Sequence, residues 1–185
     1  MGILNIFISS SKLNVGNAQV NSVSYGINIG PSPAKIFDST YIIGMSQDPY
    51  EFGFEKCIRA VNDMKIDTDE DTIEFVEIIT DNEKASKSLE IKCSLYYHEP
   101  TTEEDYEKYI ADPLFRVIRD SDFLRNNGDC TLSSLSFNLK DINSEDNDTN
   151  RCREDYLMEL VTLIDLKNKS KKILRDNFPD AITIE

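Results

Sequence analysis

The stretch KIDTDEDTIEFVEI, residues 65–78, sets Asp67, Asp69 and Asp71 on alternate positions ahead of an apolar run. That spacing matches the first, third and fifth ligand positions of a calcium-binding loop, in which carboxylate oxygens surround a hard cation. The match stops there. Thr72 stands where the tight-turn glycine belongs and Ile78 where the bidentate Glu belongs. In NSEDNDTNRCRE, Asn143, Glu145, Asn147 and Glu154 fall at positions one, three, five and twelve, but Asp148 replaces the glycine. Ca2+ is the one ion these spacings bring into view, and the reading is no metal and no cofactor.

Other catalytic patterns are sparse. His98 is the only histidine, so a Ser-His-Asp or Cys-His arrangement would have to use it, and it stands next to Glu99-Pro100 on the expected exposed phase of a strand. Cys57, Cys93, Cys130 and Cys152 contain no C-x-x-C pair, which argues against a zinc or dithiol motif and for free, mostly buried thiols. The seven glycines form no phosphate-cradling loop. Pairs of carboxylates are easily found among 34 acidic residues, and acid–base work needs an apolar pocket that a linear sequence does not show. The expectation is a chain that is not an enzyme.

Charge carries the strongest signal. The net charge is −14, and residues 66–83 hold eight acids and no base. EPTTEEDYEKYIAD is again acidic, and lysines concentrate at residues 167–172. Such a balance repels phosphates and anionic membranes, so direct nucleic-acid binding is not expected, whereas a basic protein partner is. If the segments pack side by side, Asp67, Asp69, Glu70, Asp71, Glu103, Glu104 and Asp105 form one acidic face lined by Tyr96, Tyr106 and Tyr109.

The elements that must position these residues follow from periodicity. Leu4, Ile6 and Ile8 alternate, as do Val23, Tyr25, Ile27 and Ile29, and AKIFDSTYIIGM gives a third strand. Asp48-Pro49 starts a helix whose Phe54, Cys57, Ile58 and Val61 share one stripe. TIEFVEIIT reads as a strand, and SLEIKCSLYYHE, alternating at Leu89, Ile91, Cys93, Leu95 and Tyr97, reads as its hairpin partner. Thr101 and Glu104 read as a capping box, Asp112-Pro113 starts another helix, Leu135, Phe137 and Leu139 mark a strand, and a last helix begins near Arg153. The fold class expected is α+β: a mixed, mainly antiparallel sheet with about four helices. At 185 residues one domain is expected, with any subdomain boundary at residues 44–50.

KLNVGNAQVNSVSYGINIG, residues 12–30, resembles the short N-terminal signature of small spore-germination proteins, and the rest of the chain does not follow them. No run approaches a membrane span and no basic leader precedes the apolar start, so a soluble, cytoplasmic protein is expected, in the host cytoplasm if the source is viral. Abundant Ile and Asn with little Ala match A/T-rich coding. The leading functional expectation is a non-enzymatic acidic module of inhibitor or immunity type that occludes a basic site on a protein. The alternatives are an assembly subunit of a virus or phage particle, and a carboxylate-based or metal-dependent enzyme.

Overall fold

Leu4, Ile6 and Ile8 put one apolar row on strand β1 (Gly2–Val15), while Phe7 and Leu13 face the other way, so both faces of the strand are covered. Gly16, at φ 61°, turns the chain through the left-handed region that β-carbons disfavour. Strand β2 (Ala18–Gly30) then pairs antiparallel from Ile3↔Gly30 to Val15↔Ala18, and β3 (Lys35–Ile43) pairs antiparallel with β2. Strand β4 (Ile73–Thr80) runs parallel to β1 over Gly2–Ile8, and β5 (Thr131–Ser136) runs parallel to β4. The order is β3-β2-β1-β4-β5, one mixed sheet in which the antiparallel ladders are the longer ones. The computed structural model describes residues 2–30, 35–64, 73–125, 131–140, 153–181 and 183–185.

Helix α1 (Pro49–Asp63) returns the chain from β3 to the centre of the sheet. Asp48 accepts from the N–H groups of Tyr50 and Glu51, each at 2.9 Å, and Pro49 fills the first position, where no donor is needed. Phe54, Cys57, Ile58 and Val61 are buried against the face of the sheet that carries Ile8, Val23 and Tyr25. A β-carbon on Gly53 would lie 2.9 Å from Ile8 Cγ2, so this glycine lets the helix sit close to the sheet.

Residues 83–97 overturn the hairpin reading: they form helix α2 (Glu83–Tyr97), capped by Asn82 Oδ1 on the Ala85 N–H at 3.0 Å. Leu89, Cys93 and Tyr96 recur at helical spacing and are buried, whereas Ile91 and Leu95 are exposed. The alternation was a coincidence of two residues facing water. Helices α3 (Glu103–Ala111), α4 (Pro113–Arg119) and α5 (Asp122–Arg125) follow. The cap of α3 is Thr102, bonded to the Asp105 N–H at 3.1 Å, one residue after the expected capping box.

Helix α6 (Arg153–Asn177) lies on the opposite face, where Leu160, Leu163 and Leu166 pack on Phe7, Ile79 and Phe137. Small side chains let it approach the β1–β2 hairpin: Ser11 Oγ lies 2.5 Å from Ser170 Oγ, and Ser22 donates to the Ser170 carbonyl at 2.7 Å. Helices on both faces of an open sheet give three layers. Among the described residues no helix is long and apolar enough to cross a membrane.

Candidate functional site

Parallel β1 and β4 lie side by side at the centre of the sheet; the chain leaves β1 toward β2 on one side and leaves β4 toward β5 on the other. In open α/β sheets the crevice at the carboxyl ends of such strands is where ligands sit. Here that crevice is a cleft of about 410 Å³, lined by Ser10, Ser11, Lys12, Tyr50, Asp81, Lys140, Lys167 and Glu185 among others.

Asp81 is at its centre because β4 ends at Thr80, whose hydroxyl both donates to the Asn82 carbonyl (2.7 Å) and accepts from the Asn82 N–H (3.0 Å). That tight turn leaves the Asp81 side chain against β1, only 5% exposed. Ser9 donates to Asp81 Oδ2 at 2.8 Å, Tyr50 donates to Oδ1 at 2.7 Å, and the Lys167 ammonium stands 3.4 Å from Oδ2 while also donating to the Ser10 carbonyl. The Tyr50 hydroxyl reaches across because the Asp48 cap fixes the first turn of α1 beside the end of β4.

Burial and the Asp81 carboxylate raise the pKa of Tyr50 far above the usual phenol range. Burial lowers that of Lys167, with the nearby Lys171 and Lys140 acting in the same direction and Asp81 opposing them. Lys12 closes the rim, paired with Glu185 at 3.1 Å, which holds the Glu185 carboxyl below its ordinary range. A second cleft, of about 310 Å³, lies between α2 and β5 and is lined by Cys93, Tyr97, His98, Leu124 and Leu132 among others. His98 follows the last turn of α2 rather than sitting on a strand, is exposed, and packs edge-on against Tyr97.

The acidic-face residues are placed differently. Asp67, Asp69, Glu70 and Asp71 lie outside the described residues, as does the Asn143–Asn147 loop. Glu103, Glu104 and Asp105 occupy the first turn of α3 on the surface, and Tyr106 is half exposed. Tyr96 is buried, its hydroxyl on Asp112 and its ring 5.1 Å from that of Tyr109. Ser9, Tyr50, Asp81, Lys12, Lys140 and Lys167 were missed. Asp81 sat in what read as a hairpin loop, and the lysines from 167 onward read as a helix end; an acid directly after an apolar strand was the available signal.

Divalent ions need several hard oxygen ligands, and two-metal hydrolysis needs more. Asp81 instead has an ammonium and two hydroxyls as neighbours, and no group of three or more His, Cys, Asp or Glu among the described residues is placed to hold a metal ion. The described residues of the cleft do not fit a divalent metal.

No protein-family model and no curated protein matches the chain. Solved structures similar to it include RNase H1 from the halophilic archaeon Halobacterium salinarum NRC-1, at 12% identity and TM-score 0.40 over 72% of this chain and 86% of that one. LC11-RNase H1 in complex with an RNA/DNA hybrid is similar at 19% identity and TM-score 0.38, over 82% and 99%. The N-terminal RNase H domain of rv2228c from Mycobacterium tuberculosis is similar at 9% identity and TM-score 0.39, over 91% and 97%.

These neighbours correct the functional expectations. They are RNase H proteins, a different class from the expected non-enzymatic inhibitor or immunity module and from the expected virus or phage subunit. One is solved on a nucleic acid, against the expectation of no nucleic-acid binding. Lys12, Lys140 and Lys167 share one cleft in a chain whose net charge is −14.

Proposed function

We propose that the chain acts on a phosphodiester of a nucleic-acid strand held in the cleft between the ends of β1 and β4. The observation that carries this reading is the convergence of Lys12, Lys140 and Lys167 around Asp81 in an otherwise acidic molecule. Lysines neutralise backbone phosphates, and the N-terminal ends of α1 and α2, which reach the cleft through Tyr50 and Asn82, add positive potential.

The chemistry falls to Asp81 and Lys167. Asp81, which lines the cleft, is placed to take a proton from a water whose oxygen attacks the phosphorus as the bond to the leaving oxygen breaks, that oxygen taking a proton from solvent; Ser9, itself fully buried, donates to Oδ2 and steadies the carboxylate. Lys167 neutralises charge on the phosphoryl oxygens, the role that fixed cations play in phosphoryl transfer. Tyr50 holds the other carboxylate oxygen and so orients Asp81.

The test is hydrolysis of an RNA/DNA hybrid, of each single strand and of a short chromogenic phosphodiester by wild type, S9A and D81N. Turnover that falls at least about a hundredfold in D81N and by a smaller factor in S9A, with hybrid binding retained in both, is expected. Turnover indifferent to both substitutions, or no binding by the wild type, would overturn the reading.

A further inference from the structure

Strand β1 is longer than its parallel neighbour. Strand β4 covers its edge only from Gly2 to Ile8, so the same edge of residues 9–15 would carry unpaired backbone groups beside the cleft. Residues 183–185 fill part of that gap. Ile184 bridges antiparallel to Leu13, the Lys12 N–H donates to the Glu185 carbonyl at 2.8 Å, and the Glu185 N–H donates to the Lys12 carbonyl at 2.9 Å. The Glu185 carboxylate then meets the Lys12 ammonium at the cleft wall.

We propose that this segment is a removable acidic strap: Glu185 occupies the cation that a phosphate would use, and a phosphate-bearing strand must displace it. The proposal rests on the reading of the cleft as a phosphate site. Its attachments are of the kind a ligand can break. Thr183 and Glu185 are exposed and Ile184 only half-buried, both members of the ion pair are half exposed, and among the described residues one bridge with two hydrogen bonds holds the backbone. The segment comes shortly after a turn at the end of α6 that is closed by the Ala181 N–H on the Phe178 carbonyl at 3.1 Å. A carboxylate is a weaker competitor than a strand carrying several phosphates, so it raises the threshold for entry without sealing the cleft. The strap also favours ligands that present consecutive phosphates over a lone phosphate.

The experiment measures binding of an RNA/DNA hybrid at low salt to wild type, to E185Q and to a chain lacking Thr183–Glu185, together with hydrogen exchange at the Lys12 amide. E185Q is expected to bind about two- to fivefold more tightly, the range in which an exposed ion pair competes. The truncated chain should bind at least as tightly as E185Q, and the Lys12 amide of wild type should exchange faster once the hybrid is bound. Equal affinity in all three chains, or Lys12 protection unchanged by the hybrid, would overturn the strap and leave the cleft reading standing. Failure of all three to bind would overturn both.

Discussion

Replacing Lys167 by methionine isolates the interaction on which the cleft depends. At 3.4 Å the Lys167–Asp81 attraction is about 5 kcal/mol for an effective dielectric constant of about 20, before the cost of dehydrating both groups. Lys167→Met keeps the aliphatic packing but leaves the Asp81 carboxylate, 5% exposed, with the Ser9 and Tyr50 hydroxyls as its donors among the described residues. Removing one member of a buried pair costs about 3–5 kcal/mol. Because Lys167 is 22% exposed and water partly compensates, about 2–4 kcal/mol is expected here. Each kcal/mol shifts Tm by about 2–4 °C in a domain of this size, so the melt should fall by roughly 5–15 °C. Adding Asp81→Asn to Lys167→Met should restore at least half of the loss, since the amide needs no counter-charge. The assay is urea and thermal unfolding of the two single variants and the double variant at neutral pH. A Lys167→Met loss below about 0.5 kcal/mol, or additive losses in the double variant, would refute the reasoning.

Further outcomes follow from the same contacts. Gly53→Ala brings a β-carbon to 2.9 Å from Ile8 Cγ2, 3.3 Å from Val23 Cγ2 and 3.4 Å from Tyr25 Cβ, so despite the better helix former it should cost about 1–2 kcal/mol in urea unfolding. Leu163→Ala, at a fully buried position beneath α6, should cost about 2–5 kcal/mol by the same measurement. The folded state holds the Tyr50 proton to higher pH than the unfolded chain, whose ordinary value is 10.0, so its contribution is complete below that pH and is lost as pH rises toward the folded value. Stability should therefore fall in alkali, and Tyr50→Phe should flatten that limb in unfolding curves collected between about pH 9 and 11. Burial raises the thiol pKa of Cys57, so this cysteine should react with a thiol reagent only at the rate of unfolding, as mass spectrometry of the labelled chain would show.

Much of the fold was legible because local and tertiary demands agreed. Asp48-Pro49 and the stripe from Phe54 to Val61 wrote α1 plainly, and three alternating runs wrote the β1–β2–β3 meander. Helix α2 was hidden because Ile91 and Leu95 are exposed apolar residues that completed a false strand pattern with Leu89 and Cys93. The parallel half of the sheet followed that error: with residues 83–97 read as a strand, β4 had a hairpin partner and no reason to lie beside β1. The site was illegible for the same reason. Ser9, Tyr50, Asp81 and Lys167 are scattered over the chain and meet only when β1 and β4 are neighbours and α6 lies across them. A bulk charge of −14 gave no sign that Lys12, Lys140 and Lys167 share one cleft.

The most direct test of the cleft is the salt dependence of hybrid binding by wild type and by the double variant Lys12→Ala/Lys140→Ala, followed by fluorescence anisotropy. Each phosphate contact contributes roughly 0.7–0.9 to the slope of log K against log salt. The cleft predicts weaker binding by the variant at low salt and a slope shallower by about 1–2. Identical affinity and slope in the two proteins would place the strand elsewhere on the molecule and contradict the account.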